Sequence, residues 1–199
     1  LEYFTFQNFF TDRTLFKDVR LLPAGCTLSV DGRVGTFRPV ASYWDYNFEE
    51  PTYNVDEREY VEELDRLFKQ AVSRQLISDV ELGSYLSGGM DSGSITALAA
   101  KQLPHLKTFT VGFDLNSASG LELAFDERSK AEYMSYLFTT EHYEMVLKAG
   151  DMERILPKVT LHLEEPRVGQ SYPNYYAAQL ASKFARVVLS GTGSDELFG

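Results

Sequence analysis

The sequence predicts an α/β fold, in which helices cover both faces of a parallel sheet. From residue 56 onward, apolar strand-like runs alternate with segments of helical periodicity, an order that is typical of parallel sheets. Two of the runs also end in loops rich in Gly and Ser, and α/β proteins bind their ligands at such strand ends. Before residue 50 the chain is aromatic and rich in turns, so a short β-rich region is expected to precede the sheet.

Residues 1–50 are predicted to form that β-rich region together with the connector that leaves it. Asp31-Gly32 lies between short apolar stretches, which predicts a β-hairpin. Residues 43–54 mix Trp, Pro and acidic side chains without a clear period, as a connector between domains does. We therefore expect a domain boundary near residue 50, with residues 51–199 forming the second part.

The second part is predicted to begin with an amphipathic helix after Asp56. Apolar residues recur at spacings of three and four, which places them on one helical face: Tyr60, Val61, Leu64, Leu67, Phe68, Ala71, Val72 and Leu76. Strand-like runs follow at 80–86, 108–113, 143–147 and 186–190. Further helices are expected near 92–102, 126–138, 151–163 and 172–184. The acids at 126 and 127 are interpreted as the start of a helix, where they suit the helix dipole.

Composition and charge argue against several classes of function. The 199 residues carry a net charge of −10 at pH 7, which disfavours broad attraction to nucleic acid or anionic lipid. Cys26 is the single cysteine and cannot form an internal disulfide, so a reducing, cytoplasmic setting is expected. No run of about 18 apolar residues is present to span a bilayer, and no signal peptide is recognisable. The chain starts at Leu1 and stops at Gly199 within a motif, so we expect it to be part of a longer protein.

The strongest motif is LSGGMDS at residues 86–92, which joins the first strand-like run to a helical segment. Glycines let the backbone approach a phosphate closely, consecutive N–H groups bind anions, and the helix N-terminus adds partial positive charge. The loop has no Lys and does not match GxxxxGK[ST], which excludes a Walker A site. Asp91 would repel a bare phosphate, so a Mg²⁺ ion between them is expected. The alternative is a plain strand-to-helix turn in which Asp91 caps the helix.

A second loop of the same kind follows the run at 186–190 and has the sequence SGTGSDE over residues 190–196. Ligands of open α/β sheets bind at the carboxyl ends of the strands, so the two loops are expected to meet over one ligand. Asp91 and Asp195 are therefore candidate ligands of one Mg²⁺ ion. Taken alone, this segment would be interpreted as a helix-capping turn, and the first loop is what favours a functional interpretation.

These strings resemble the PP-loop ATP pyrophosphatases, whose signature SGGxDS follows a strand, and in particular the synthetase domain of glutamine-hydrolysing asparagine synthetases. The matching segments are LSGGMDS at 86–92, TFTVGFD at 108–114, HLEEP at 162–166 and VVLSGTGSDELFG at 187–199. LLPAG at 21–25 and YWDY at 43–46 are similar to the end of the family's glutaminase domain and its linker. The resemblance implies an adenine nucleotide alpha hydrolase-like fold for residues 51–199, with residues 1–50 as the end of a glutamine amidotransferase domain.

The resemblance also implies an ATP-dependent amide ligase of asparagine biosynthesis. ATP would adenylate the side-chain carboxylate of aspartate with loss of pyrophosphate, and ammonia derived from glutamine would displace AMP. By the same resemblance the Mg²⁺ ligands are Asp91 and Asp195, and no residue is assigned a catalytic role. The implied nucleotide-binding residues are Leu86, Ser87, Gly88, Gly89, Asp91, Ser92, Val111, Ser190 and Gly191. Small-molecule substrates are expected, without nucleic-acid or membrane partners, and a homodimer is one expectation for the full-length protein.

Thr192 departs from the family, because asparagine synthetases usually place Glu or Asp at this position near the acceptor end of the site. The acceptor carboxylate is therefore open, and a related enzyme that acts on another carboxylate, like β-lactam synthetase, is the first alternative. A nucleotide-binding module without turnover is the second alternative. The family's glutaminase uses an N-terminal Cys as its nucleophile, whereas Cys26 is not at a chain terminus and is interpreted as a structural thiol.

Overall fold

The structure, a computed structural model, describes residues 1–49, 56–117, 120, 126–167, 169–194 and 197. These residues form two compact units. One unit contains the described residues of 1–55 together with 164–167, and the other contains those of 56–163 and 168–199. The assignment of residues 1–50 to an amidotransferase domain and of 51–199 to a synthetase domain stays a prediction.

The first unit consists of short elements joined by turns. Its elements are helix α1 (Glu2–Phe6) and strands β1 (Cys26–Thr27), β2 (Val30–Asp31), β3 (Thr36–Phe37) and β4 (Ala41–Ser42). β1 pairs with β4 and β2 pairs with β3, both in antiparallel fashion. The expectation of strand and turn is wrong for α1, whose aromatic composition favours a strand. Gln7 ends this single turn in a left-handed conformation and donates its N–H to Tyr3 O.

The hairpin predicted at Asp31-Gly32 is confirmed, with Val30 opposite Phe37 in the register. Its loop spans residues 32–35 and is longer than the two-residue turn that the dipeptide favours. The Gly35 N–H donates to Asp31 O over 2.8 Å, and Gly35 has a φ of +67°. Glycine adopts this left-handed conformation without strain, so Gly35 closes the loop.

The second unit alternates strands and helices in the predicted order. Its helices are α2 (Glu57–Gln75), α3 (Met90–Ala100), α4 (Arg128–Phe138), α5 (Asp151–Leu163) and α6 (Ser171–Ala181). Its strands are β5 (Leu82–Tyr85), β6 (Lys107–Phe113), β7 (Glu141–Leu147) and β8 (Val187–Leu189). The predicted ends differ from these by at most three residues. Across the described part of the chain, every helix is too short or too polar to cross a membrane.

The four strands of this unit form one parallel sheet in the order β7-β6-β5-β8. In the register, Tyr85 of β5 is opposite Phe109 of β6, and Ser84 is opposite Leu189 of β8. All four strands therefore run in the same direction, and their carboxyl ends lie along one side of the sheet. The loops after β5 and β8 start next to each other there. The predicted α/β fold is confirmed.

Helices cover both faces of the sheet, as predicted. On one face, Phe109 and Phe113 of β6 belong to apolar clusters that residues of α5 and α6 complete. On the other face, the Ser84 hydroxyl lies 2.9 Å from that of Thr96 in α3. Gly112 of β6 faces the side chain of Arg128 in α4 on this second face. Because side chains alternate along a strand, the two sets occupy opposite faces.

Helix α2 confirms the predicted amphipathic helix, but its apolar face is covered only in the second half. Asp56 is the N-cap residue, and its side chain accepts the N–H of Arg58 over 3.0 Å. Val72 is buried in a cluster with Ala99 and Leu106, which contains no residue from the first half of α2. The residues of the predicted apolar face that are exposed are Tyr60, Val61, Leu64, Leu67 and Ala71. The predicted periodicity shows which side of α2 is apolar and does not show what covers that side.

Candidate functional site

The loop after β5 is held by its own serine side chains. The hydroxyl oxygens of Ser87 and Ser92 lie 2.8 Å apart. The backbone N–H of Ser87 donates to Ser92 Oγ over 3.0 Å, and the N–H of Gly89 donates to Ser87 Oγ over 3.1 Å. The five-residue spacing of the two serines therefore fixes the path of the loop from the strand to the helix.

Helix α3 begins after this loop with backbone donors that are not satisfied within the described residues. Its N-cap residue is Gly89, which has no side chain to accept a hydrogen bond. The N–H of Gly93 donates to Gly89 O over 3.1 Å and forms the first helical hydrogen bond. The N–H groups of Met90, Asp91 and Ser92 have no described acceptor. Free N–H groups at a helix start carry partial positive charge and bind anions such as phosphate.

The loop after β8 meets the loop after β5. A Cβ atom added at Gly191 would lie 2.8 Å from Ser92 N and 2.9 Å from Asp91 Cβ. Only glycine lets the two backbones approach so closely. Ser190 Oγ lies 2.9 Å from Thr192 Oγ1 and accepts the Thr192 N–H, so this loop is also held by its own hydroxyls. The structure thus brings the predicted residues of 87–92 together with 190 and 191.

Leu86 is buried beside the loops, and Val111 is partly buried. Leu86 is 1 % exposed, and its N–H donates to Phe109 O over 3.0 Å. The hydroxyl of Thr110 donates to the Leu86 carbonyl. The side chain of Val111 packs against the apolar cluster around Phe113. These contacts tie the end of β5 to β6 and so hold the first loop in place.

Asp91, in the first turn of α3, differs from two carboxylates of the loops beside the sheet. Asp114 accepts the Ser117 hydroxyl over 2.9 Å, and this hydrogen bond holds the pKa of Asp114 below its usual value. Asp126 forms an ion pair with Arg128 over 2.7 Å, and the hydrogen bond from Arg128 lowers the pKa of Asp126. The carboxylate of Asp91 is half-buried and has no hydrogen-bond or ion-pair partner in the described part of the chain. Asp91 is therefore available to a ligand.

This donor set fits a Mg²⁺ ion that is bound together with phosphate. In such sites one or two carboxylates share the ion with phosphate oxygens and several waters. Asp91 offers an unpartnered carboxylate beside free N–H groups that suit the phosphate. Asp195 lies outside the described residues, so a metal shared by Asp91 and Asp195 stays a prediction. Over the residues that are described, no group of three or more His, Cys, Asp or Glu side chains could hold a metal ion alone.

An acidic residue outside the predicted set accepts a hydrogen bond from the first loop. Glu127, the N-cap residue of α4, accepts the N–H of Gly88 at Oε2 over 3.3 Å. From the sequence, this acid is interpreted only as the start of a helix. Its position in the sequence could have indicated this contact. Glu127 precedes the helix that follows β6, and β6 is the neighbour of β5 in the sheet.

The chain is similar to known proteins of one family along most of its length. The family model for asparagine synthase matches residues 63–199. The glutamine-hydrolyzing asparagine synthetase 1 of Bacillus subtilis is 32 % identical over 201 residues, covering 100 % of this chain and 30 % of that protein. The glutamine-hydrolyzing asparagine synthetase of Triphysaria versicolor is 34 % identical over 138 residues, covering 66 % of this chain and 23 % of that protein.

Among solved structures, NMN synthetase from Francisella tularensis aligns with a TM-score of 0.35 at 18 % identity, covering 68 % of this chain and 54 % of that one. The chain spans about 30 % of the length of its Bacillus subtilis relative. The family model matches more than half of the chain, and that relative aligns along all of it. This chain therefore belongs to the asparagine synthase family.

Proposed function

We propose that the second unit is the ATP-binding part of an amide ligase that makes asparagine. The observation that carries the proposal is the meeting of the two loops, where Gly191 lies against Asp91 and Ser92. The free N–H groups at the start of α3 supply the donors that a polyphosphate needs. Membership of the asparagine synthase family supports the use of ATP and amide ligation.

The proposed reaction has two steps. An oxygen of the aspartate side-chain carboxylate attacks the α-phosphorus of ATP, and the bond to the β-phosphate breaks to release pyrophosphate. Ammonia derived from glutamine then attacks the acyl carbon of the adenylate, loses a proton and displaces AMP to give asparagine. Charge develops on the leaving pyrophosphate, so the first step depends on oriented donors more than on a protein nucleophile.

The residues of the two loops and of β6 divide this work according to their position. Residues 87–92 bind the pyrophosphate end of ATP through the loop and the free N–H groups of α3. Asp91 and Asp195 hold Mg²⁺, which when bound neutralises part of the pyrophosphate charge. The adenosine site is lined by Leu86, Val111, Ser190 and Gly191. The small-molecule substrates, the cytoplasmic setting and a homodimer of the full-length protein belong to the same proposal.

Release of pyrophosphate by the full-length protein tests this function. The assay contains ATP, Mg²⁺ and ammonia, and compares aspartate with a panel of other amino acids and carboxylates. Release that depends on aspartate, with asparagine as the product, supports the proposal. Binding of ATP without pyrophosphate release in the presence of any tested carboxylate would indicate a nucleotide-binding module without turnover.

Thr192 favours a second candidate function, an amide-forming enzyme that acts on another carboxylate. Its hydroxyl lies 2.9 Å from Ser190 Oγ, and its side chain brings no charge to a position where the family usually has an acid. A carboxylate at this position would arrange the acceptor end of the site differently. Release of pyrophosphate with another carboxylate, and not with aspartate, would establish this second function.

A further inference from the structure

We propose that Glu127 is an internal anion, which occupies the phosphate-binding loop until a ligand displaces it. The inference rests on the proposed function of residues 87–92 as the pyrophosphate site. Oε2 of Glu127 accepts the N–H of Gly88 over 3.3 Å, in the middle of that loop. A carboxylate oxygen therefore lies where a phosphate oxygen would accept the same hydrogen bond.

Three consecutive N–H groups of the loop already have acceptors. The N–H of Ser87 donates to Ser92 Oγ, and the N–H of Gly89 donates to Ser87 Oγ. Both acceptors are hydroxyls, which can rotate and donate to a phosphate oxygen. The third acceptor is the carboxylate of Glu127, which has no proton to donate when ionised. Glu127 and a phosphate oxygen therefore compete for the Gly88 N–H.

Helix α4 is held against the loop, so the Glu127 side chain has to move and not the helix. A Cβ atom on Gly88 would lie 2.6 Å from Lys130 Cδ and 2.7 Å from Lys130 Cβ, so the lysine side chain of α4 packs against the loop. Arg128 Nη2 donates to Phe113 O over 2.8 Å and ties the first turn of α4 to the end of β6. No ion pair joins Lys130 to Glu127 within the described ranges.

Removing the charge of Glu127 should therefore strengthen the binding of a phosphate ligand. The effect is clearest for inorganic pyrophosphate without metal, because no cation then screens the repulsion between the two anions. We expect Glu127→Gln to tighten metal-free binding about tenfold, as for the loss of one neighbouring charge at a partly exposed site. Glu127→Ala removes both the charge and the acceptor and is expected to act in the same direction.

The test is calorimetric titration of the full-length protein with inorganic pyrophosphate in the presence of EDTA. Wild type, Glu127→Gln and Glu127→Ala are compared with Glu132→Gln, which removes the same charge from an exposed position of α4. Thermal melting confirms that each variant is folded. Tighter binding by a folded Glu127 variant, with no change for Glu132→Gln, supports the internal anion.

Equal or weaker binding by the folded Glu127 variants overturns the inference and leaves Glu127 as a residue that only caps the loop. Absence of binding in both wild type and the variants overturns it as well. The proposed function is judged separately, by Mg²⁺-dependent pyrophosphate release from ATP in the wild-type protein. If the wild type releases pyrophosphate but the Glu127 variants bind pyrophosphate no more tightly, only the role of Glu127 is contradicted. The proposed function then stands.

Discussion

Gly191 is the residue at which the two loops touch, and it leaves no room for a side chain. In Gly191→Ala the new Cβ would lie 2.8 Å from Ser92 N, and backbone on that side cannot yield as a flexible side chain would. The loops must separate, at a cost of about 1–3 kcal/mol, so we expect ATP to bind about tenfold more weakly. Calorimetric titration with ATP and Mg²⁺ measures the loss. Gly32→Ala is the matched control, because a Cβ there has no atom within 4 Å; equal affinities in the two variants would contradict a close contact between the loops.

Asp91 carries a different prediction, because its carboxylate is unpartnered in the described part of the chain. Asp91→Asn keeps the shape of the side chain and removes the charge that would bind Mg²⁺. We expect the gain in ATP affinity on adding Mg²⁺ to fall at least about tenfold, since a cation loses one ionised ligand. Titrations with and without Mg²⁺ measure this gain directly. Asp65→Asn removes a similar charge from the exposed surface of α2 and should leave the gain unchanged. If Asp91→Asn leaves it unchanged too, Asp91 is not a metal ligand.

At the scale of the element, the ion pair of Asp126 with Arg128 fixes the start of α4. Arg128 lowers the pKa of Asp126, so this carboxyl is more acidic in the folded protein than in the unfolded chain. Its contribution to stability is therefore present above the unfolded pKa of about 3.9 and is lost as the pH falls through the folded value. We expect Asp126→Asn to lower the free energy of unfolding by about 1 kcal/mol at pH 7. The difference from wild type should disappear below that lower pKa, and thermal unfolding across the pH range measures it.

The exposed ion pair of Asp12 with Arg20 provides the control for the Asp126→Asn experiment. Its atoms are also 2.7 Å apart, but its side chains are 48 % and 62 % exposed, against 12 % and 22 % for Asp126 and Arg128. Exposed pairs contribute little because water screens them. Asp12→Asn should therefore change the unfolding temperature less than Asp126→Asn at pH 7, and the reverse order would show that the first turn of α4 does not depend on its ion pair.

The order of the elements could be predicted from the sequence, whereas most contacts between them could not. Each strand of the sheet carries its own apolar pattern, so β5 to β8 were predictable from local residues. The contact of Glu127 with Gly88 depends on how α4 crosses the loop, which no local pattern encodes. The exposure of the first half of α2 was not predictable either. Periodicity is a property of the helix's own residues, whereas burial depends on the elements that pack against it. The meeting of the two loops is the exception, because it follows from the shared direction of parallel strands. The contact of Gly191 with Asp91 within that meeting is shown only by the structure.

At the scale of the whole unit, the position of the loops depends on the packing of the central strands. Phe109 of β6 is 1 % exposed, and its ring lies 5.9 Å from that of Tyr143 and 6.0 Å from that of Phe184. Its carbonyl also accepts the N–H of Leu86, where the first loop leaves the sheet. The same residue thus belongs to the core and anchors the loop, so we expect stability and ligand binding to be coupled through it.

Phe109→Ala tests this coupling. The substitution leaves a cavity on one face of the sheet and should reduce the free energy of unfolding by about 3–5 kcal/mol, as for other buried aromatic residues. Urea unfolding measures the loss, and ATP binding should weaken at temperatures where the variant is still folded, because Leu86 is then less firmly held. Tyr136→Ala removes a ring that is 82 % exposed on α4 and should change stability by no more than about 0.5 kcal/mol. Unchanged ATP affinity in a strongly destabilised Phe109→Ala would show that the loop keeps its position independently of the core beneath it.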